Sequence, residues 1–163
     1  MLEVKVLIRK ATIEDLKDIL RLNRNLFLKE YREFDRTLNI NWTHSKEGKK
    51  LLRNVIVKKD NFCEVIQDKN RIVGYLNGGI AKRSPWHKEA RYAYLGSIFI
   101  EKKFRRRGLG TKLINDFINW CKRNKFDYID VTASAQNIFG QNFYRKAGFN
   151  DYDLILEKRL TKN

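Results

Sequence analysis

Apolar residues fall at alternate positions in VKVLIRKA (4–11), with Val4, Val6 and Ile8 on one face, a pattern that predicts a strand. The period then lengthens. Over residues 12–31, Ile13, Leu16, Ile19, Leu20, Leu26 and Phe27 trace one face of a helix. Thr12 and Asp15, three places apart at its start, have the spacing of a capping box. A polar, irregular stretch carrying Phe34, Trp42 and His44 follows. A second helix is predicted from Ser45 to about Val57, with Leu51, Leu52, Val55 and Ile56 as its apolar face and Gly48 weakening its start. In residues 61–82 two β-branched and aromatic runs flank the polar turn Asp68–Arg71, the signature of a hairpin. A loop with Ser84, Pro85, Trp86 and His87 leads into a strong strand at 91–101. A helix at 108–123, a nearly continuous apolar strand at 126–134 and a short helix stopped by Gly148 come next. A last strand is predicted at 151–159.

The order is therefore β-α-α-β-β-β-α-β-α-β. The β-α-β segment from 91 to 134 reads as one crossover unit, which makes its two strands parallel, whereas the hairpin strands are antiparallel. The expected fold class is mixed α/β: a mostly antiparallel central sheet with one parallel pair and helices on both faces.

Composition narrows this further. The chain has 163 residues, 42% of them hydrophobic and 12% aromatic, with Pro85 as its one proline and no linker-like or repeated tract. One domain over residues 1–163 is expected. Cys63 and Cys121 belong to no C-x-x-C pair and sit at apolar-patterned positions, as reduced core cysteines do, which favours a cytoplasmic protein. No run approaches the ~18 consecutive apolar residues of a membrane span. His44 and His87 lack companions at metal-ligand spacing, so no metal is expected.

Charge changes the picture more. Lys and Arg number 35 against 19 Asp and Glu, a formal net charge of +16, which attracts polyanions. Cations crowd at 46–59, 102–107 and 122–125. The middle cluster stands apart, because KKFRRRGLGTKLINDF (102–117) sets arginines against two glycines at the mouth of an amphipathic helix. A helix N-terminus presents unpaired N–H groups, glycine lets a phosphate approach them, and arginine adds forked donors. The segment is neither a dinucleotide fingerprint, since Leu113 occupies the third glycine site, nor a P-loop, since Gly110, Thr111 and Lys112 run in the wrong order. What remains is R-x-x-G-x-G on Arg105, Gly108 and Gly110.

At these residues the chain resembles the GNAT superfamily of N-acetyltransferases. IFIEKKFRRRGLGTKLI looks like that family's pyrophosphate loop, and NIFGQNFYRKAGF looks like its N-x-x-A-x-x-F-Y-x-x-x-G-F signature, with Gly140 where alanine is usual. The resemblance is strong from about 91 to 149 and vague between 30 and 60.

The resemblance implies an acetyl-CoA-dependent N-acetyltransferase: acetyl-CoA as donor, a small-molecule or protein primary amine as acceptor, and direct attack in a ternary complex. It also implies that the parallel strands splay at the acetyl-CoA site. Ile98, Phe99 and Ile100 would offer main-chain groups to the pantetheine arm, and the interruption at Gly96 and Ser97 fits a bulge or close ligand approach. The amides from Arg106 through Arg107, Gly108, Leu109 and Gly110 to Thr111, with the side chains of Arg105 to Arg107, would hold the pyrophosphate. Asn137 would hydrogen-bond the pantetheine. Tyr144 matches the general acid that protonates the leaving thiolate. No general base is assigned: Glu30, Glu33, Asp35, Glu64, His87, Asp130 and Glu101 are candidates beside a water chain. The acceptor would lie across the opposite side of the splayed strands, walled by the early helices and the 82–90 loop, where Tyr31, Phe34, Trp42 and Trp86 are pocket residues if exposed and core if buried. Two other readings stand beside this one, a non-catalytic acyl-CoA sensor and a basic nucleic-acid-binding module. The second lacks any helix-turn-helix, zinc or RNP pattern. Neither a membrane nor nucleic acid is an expected partner.

Overall fold

The computed structural model describes residues 6–160. Its strands are β1 (Leu7–Lys10), β2 (Asn61–Asp68), β3 (Arg71–Ala81), β4 (Tyr92–Ile100) and β5 (Tyr128–Val131), and its α-helices are α1 (Leu16–Glu33), α2 (Lys46–Val57), α3 (Leu109–Arg123) and α4 (Ile138–Lys146). The sheet runs β1-β2-β3-β4-β5 in space, antiparallel except for the parallel pair β4-β5. Val4, expected in the first strand, lies outside the described residues.

Local chemistry explains where the elements begin. Asp15 accepts hydrogen bonds from the Thr12 amide at 2.8 Å and from both terminal nitrogens of Arg9 at 2.7 and 2.9 Å, fixing the short 3-10 turn that leads into α1. Ser45 caps α2 by accepting from the Gly48 amide at 3.0 Å. Gly48 is required there, because a Cβ would overlap the Trp42 carbonyl oxygen.

Alternation along the strands then divides the core. On one face Ile19 and Leu22 of α1 and Leu52, Val55 and Ile56 of α2 bury against Cys63, Val65 and Tyr75. On the other, Leu113, Ile114, Phe117 and Cys121 of α3 bury against Phe62, Ile66, Leu76 and Leu95, with Phe143 and Tyr144 of α4 at the margin. Both cysteines are buried and free, and burial pushes each thiol up to about 12, so they are inert packing residues.

Two expectations are corrected. The strand expected at 126–134 is only Tyr128–Val131, because its ladder with β4 ends at the Leu95–Val131 pair, where β4 bulges at Gly96. The strand expected at 151–159 does not form, and Leu154, Ile155 and Leu156 are exposed. Asp151 is tied to Arg145 by two hydrogen bonds of 2.8 and 2.9 Å, and Arg83 lies over the Tyr152 ring. Alternation supplies one half of a ladder, and among the described residues no strand pairs with this segment.

Candidate active site

The basic segment forms a tight turn between β4 and α3. Phe104 is buried, and Arg105 donates its Nε to the Ile100 carbonyl at 2.6 Å, pinning the turn to the end of β4 while its guanidinium lies over the Phe99 ring. The chain then passes through the left-handed region at Arg106 (φ 62°) and Gly108 (φ 74°), and α3 starts at Leu109. Among the described residues no carbonyl or side chain accepts from the amides of Arg106 through Thr111, while Lys112 makes the first helical bond back to Gly108. Unpaired amides, the positive end of a helix dipole and three exposed arginines make this a well-suited anion cradle.

Beyond the bulge, β4 continues through Ile98, Phe99 and Ile100 with β3 on one side and no β5 pairing on the other. The strands part there. Gly110 abuts Phe143, which brings α4 against the first turn of α3. Tyr144 follows, its ring 5.6 Å from that of Phe143 and 5.9 Å from that of Phe149. Burial pushes its phenol up to about 12, with the Glu30 carboxylate adding to the rise. Asn137 caps α4, its Oδ1 accepting from the Gly140 amide at 2.9 Å. The glycine at 140 suits this cap, since a Cβ would stand 2.7 Å from the Asn137 Nδ2.

On the α1/α2 face of the same bulge lies a cavity of about 280 Å³, lined by Asn23, Phe27, Trp42, Leu51, Leu52, Asn77, Tyr94, Gly96 and Ser97. The Phe27 and Trp42 rings stack with centroids 5.6 Å apart. Beside it runs a buried polar chain: Thr43 donates to the Asn23 Oδ1 and the Asn23 Nδ2 donates to the Tyr75 hydroxyl, each at 2.8 Å.

A family model, that of the Acetyltransferase (GNAT) family, matches residues 17–149. The chain belongs to this family. It is 28% identical over 152 residues, 91% of its length, to an uncharacterised N-acetyltransferase, MJ1207, of Methanocaldococcus jannaschii. It is 35% identical over 72 residues, 44% of its length, to streptothricin acetyltransferase A of Bacillus subtilis. The chain spans 62% of the first relative's length and 40% of the second's. A variant of the BH1408 protein of Bacillus halodurans superposes with a TM-score of 0.80 at 18% identity, over 95% of this chain and 99% of that one. The aminoglycoside acetyltransferase AAC(6')-Iy, in complex with the bisubstrate analogue CoA-S-monomethyl-acetylneamine, gives 0.73 at 15% identity, over 97% and 99%. These likenesses establish the shared fold.

In this GNAT protein most of the acids considered as bases are engaged elsewhere. Glu101 accepts from Arg21 and Arg71, both at 2.7 Å, and ties α1 and β3 to the end of β4. Asp130 is paired with Arg83, Glu33 with Lys29, and Asp35 with the Thr37 amide and hydroxyl. Glu64 lies on β2 outside the cavity lining, where burial raises its carboxyl and its Oε2 has no partner among the described residues. His87 stays in its loop with Nδ1 3.3 Å from the Ser84 carbonyl oxygen. Glu30 differs, because burial raises its carboxyl and its charge is felt at Tyr144. Of the aromatics expected around an acceptor only Trp42 lines the cavity, and Trp86 is exposed in its loop. Asn23, Phe27, Asn77 and Tyr94 carry no motif, and only contacts between elements reveal them.

Proposed function

We propose that this GNAT protein is an acetyl-CoA-dependent N-acetyltransferase that passes the acetyl group directly to a primary amine in a ternary complex. The observation that carries the reading is the row of unpaired amides from Arg106 to Thr111, opening beside the unpaired edge of β4. Support also comes from AAC(6')-Iy, a structural neighbour described in complex with CoA.

In this reading the amides of Arg106 to Thr111 and the guanidinium groups of Arg105 to Arg107 hold the pyrophosphate. The free edge of β4 at Ile98 to Ile100 pairs with the pantetheine arm, and a main-chain N–H there polarises the thioester carbonyl. Asn137 keeps its Nδ2 for the same arm, because its Oδ1 is committed to the cap. When bound, acetyl-CoA supplies the activated acyl group. The new N–C bond forms as the C–S bond breaks, Tyr144 donates its phenolic proton to the departing sulfur, and the proton lost by the amine passes through water to restore the phenol.

The test is direct. Acetyl-CoA should raise the melting temperature, and free CoA thiol should appear on adding amines from a mixed panel. Absence of any shift with CoA species overturns the reading, whereas a shift without thiol release identifies a binding protein instead.

A further inference from the structure

The cavity behind the β4 bulge combines features that select one chemical class. Its walls are apolar and aromatic: the Phe27–Trp42 stack, Leu51, Leu52 and Tyr94. Among the described residues no acidic side chain lines it. The adjoining cleft of about 330 Å³ contributes Glu47 but sets Lys50 and Lys58 beside it. Beside one acid and two lysines, on a chain of net charge +16, a polycation finds no net counter-charge here. Two buried asparagines face the space, and they differ. Asn23 has both ends of its amide engaged by Thr43 and Tyr75. Asn77, only 3% exposed, leaves its Nδ2 without a partner among the described residues, while its Oδ1 lies against Gly96 at the bulge. A buried donor without an acceptor is a vacancy that a ligand oxygen fills.

We infer that this cavity is the acceptor pocket, and that it takes a monoamine bearing one apolar side group and an oxygen acceptor close to the nitrogen, read by the Asn77 amide. An α-amino amide has that chemistry, whether it is a small amino-acid derivative or the first residue of a peptide. The inference rests on the acetyltransferase reading. The bulge makes the geometry coherent: Asn77 of β3 pairs with Ser97 of β4 at the level where β4 and β5 part, so a group held by Asn77 lies one strand in from the open edge of β4.

The test compares L-phenylalaninamide, a phenylalanine-initiated tripeptide, phenethylamine and spermidine, by thiol release with acetyl-CoA and by calorimetric binding with CoA present. L-Phenylalaninamide should exceed phenethylamine at least tenfold in kcat/KM and in affinity, with spermidine poorest. N77L should abolish the preference for the amide while acetyl-CoA still stabilises the variant. A tripeptide as good as the amide assigns the source to peptide N-termini, and a poor one assigns it to small amines. Equal use of the two aromatic amines, preference for spermidine, or an intact preference in N77L overturns the inference. Failure of the protein to bind CoA overturns the acetyltransferase reading instead, and calorimetry of the two amines alone still decides whether the pocket distinguishes them.

Discussion

A Cβ on Gly110 would stand 3.1 Å from Cζ and 3.3 Å from Cε2 of Phe143, so the second glycine of the basic turn is the seat of the aromatic beside Tyr144. The two motifs thus meet in one packing contact. Gly110→Val should overfill it, destabilise the protein by about 1–3 kcal/mol in urea unfolding, and weaken acetyl-CoA binding by displacing the α4 aromatics. A variant as stable as the parent would show that α4 does not depend on this seat.

Gly108 is constrained differently. Nothing lies within 4 Å of its missing Cβ, but its φ is 74°. Gly108→Ala should therefore cost about 1–2 kcal/mol through the backbone alone, and Gly108→Asn less, since asparagine tolerates this region. Gly108→Glu should add a negative charge at the amides and lower acetyl-CoA affinity in calorimetry. Unchanged affinity would place the phosphates elsewhere.

Tyr144→Phe should leave the fold intact and reduce kcat by roughly 10²–10⁴ if the phenol is the general acid. Because burial holds that phenol up to about 12, the acid stays protonated across the neutral range. The parent kcat profile should then show no descending limb from this group between pH 7 and 10. Full turnover in Tyr144→Phe would remove the assigned role.

Stability should fall on the alkaline side. Cys63, Cys121 and Tyr144 all ionise at higher pH folded than unfolded, so the native state keeps protons that the unfolded chain releases. Their contribution is full below the ordinary thiol and phenol values and is lost as pH rises toward about 12. The melting temperature should decline from about pH 9 upward, and a flat profile from pH 8 to 11 would contradict the burial of these groups.

At the acid end Asp15 acts in the opposite sense. Hydrogen bonds from Arg9 hold its carboxyl below the usual range against the cost of burial. Its stabilisation is present above the ordinary carboxylate value and is lost as pH falls through the lowered one. Asp15→Asn should cost roughly 2–3 kcal/mol in urea unfolding and flatten the acid limb of stability.

The division between sequence and tertiary structure follows the range of the forces involved. The start of α3 at Leu109 and the stop near Gly148 were legible, because each rests on dihedrals within a few residues, whereas Asn137 was read only through the resemblance and its capping bond to the Gly140 amide came from the structure. The bulge at Gly96 was also legible, as a break in an apolar run. Its consequence was not: periodicity does not say that the ladder with β5 ends there, nor that Asn77 comes to line a cavity with Phe27 and Trp42. Glu101 likewise reads only as a candidate base at a strand end, and it takes the packing of α1 on β3 to bring Arg21 to it and the pairing of β3 with β4 to bring Arg71.

The sequence alone determined the order of elements from the first strand through α4, the two faces of the sheet and the glycine turn that opens α3, because alternation and local hydrogen bonding are properties of neighbours along the chain. Tertiary structure decided which polar groups inside the fold were left unpaired, which acids were already taken, and that residues 151–159 form no strand. A hydrogen bond needs a second partner, and its position is set by how distant segments pack.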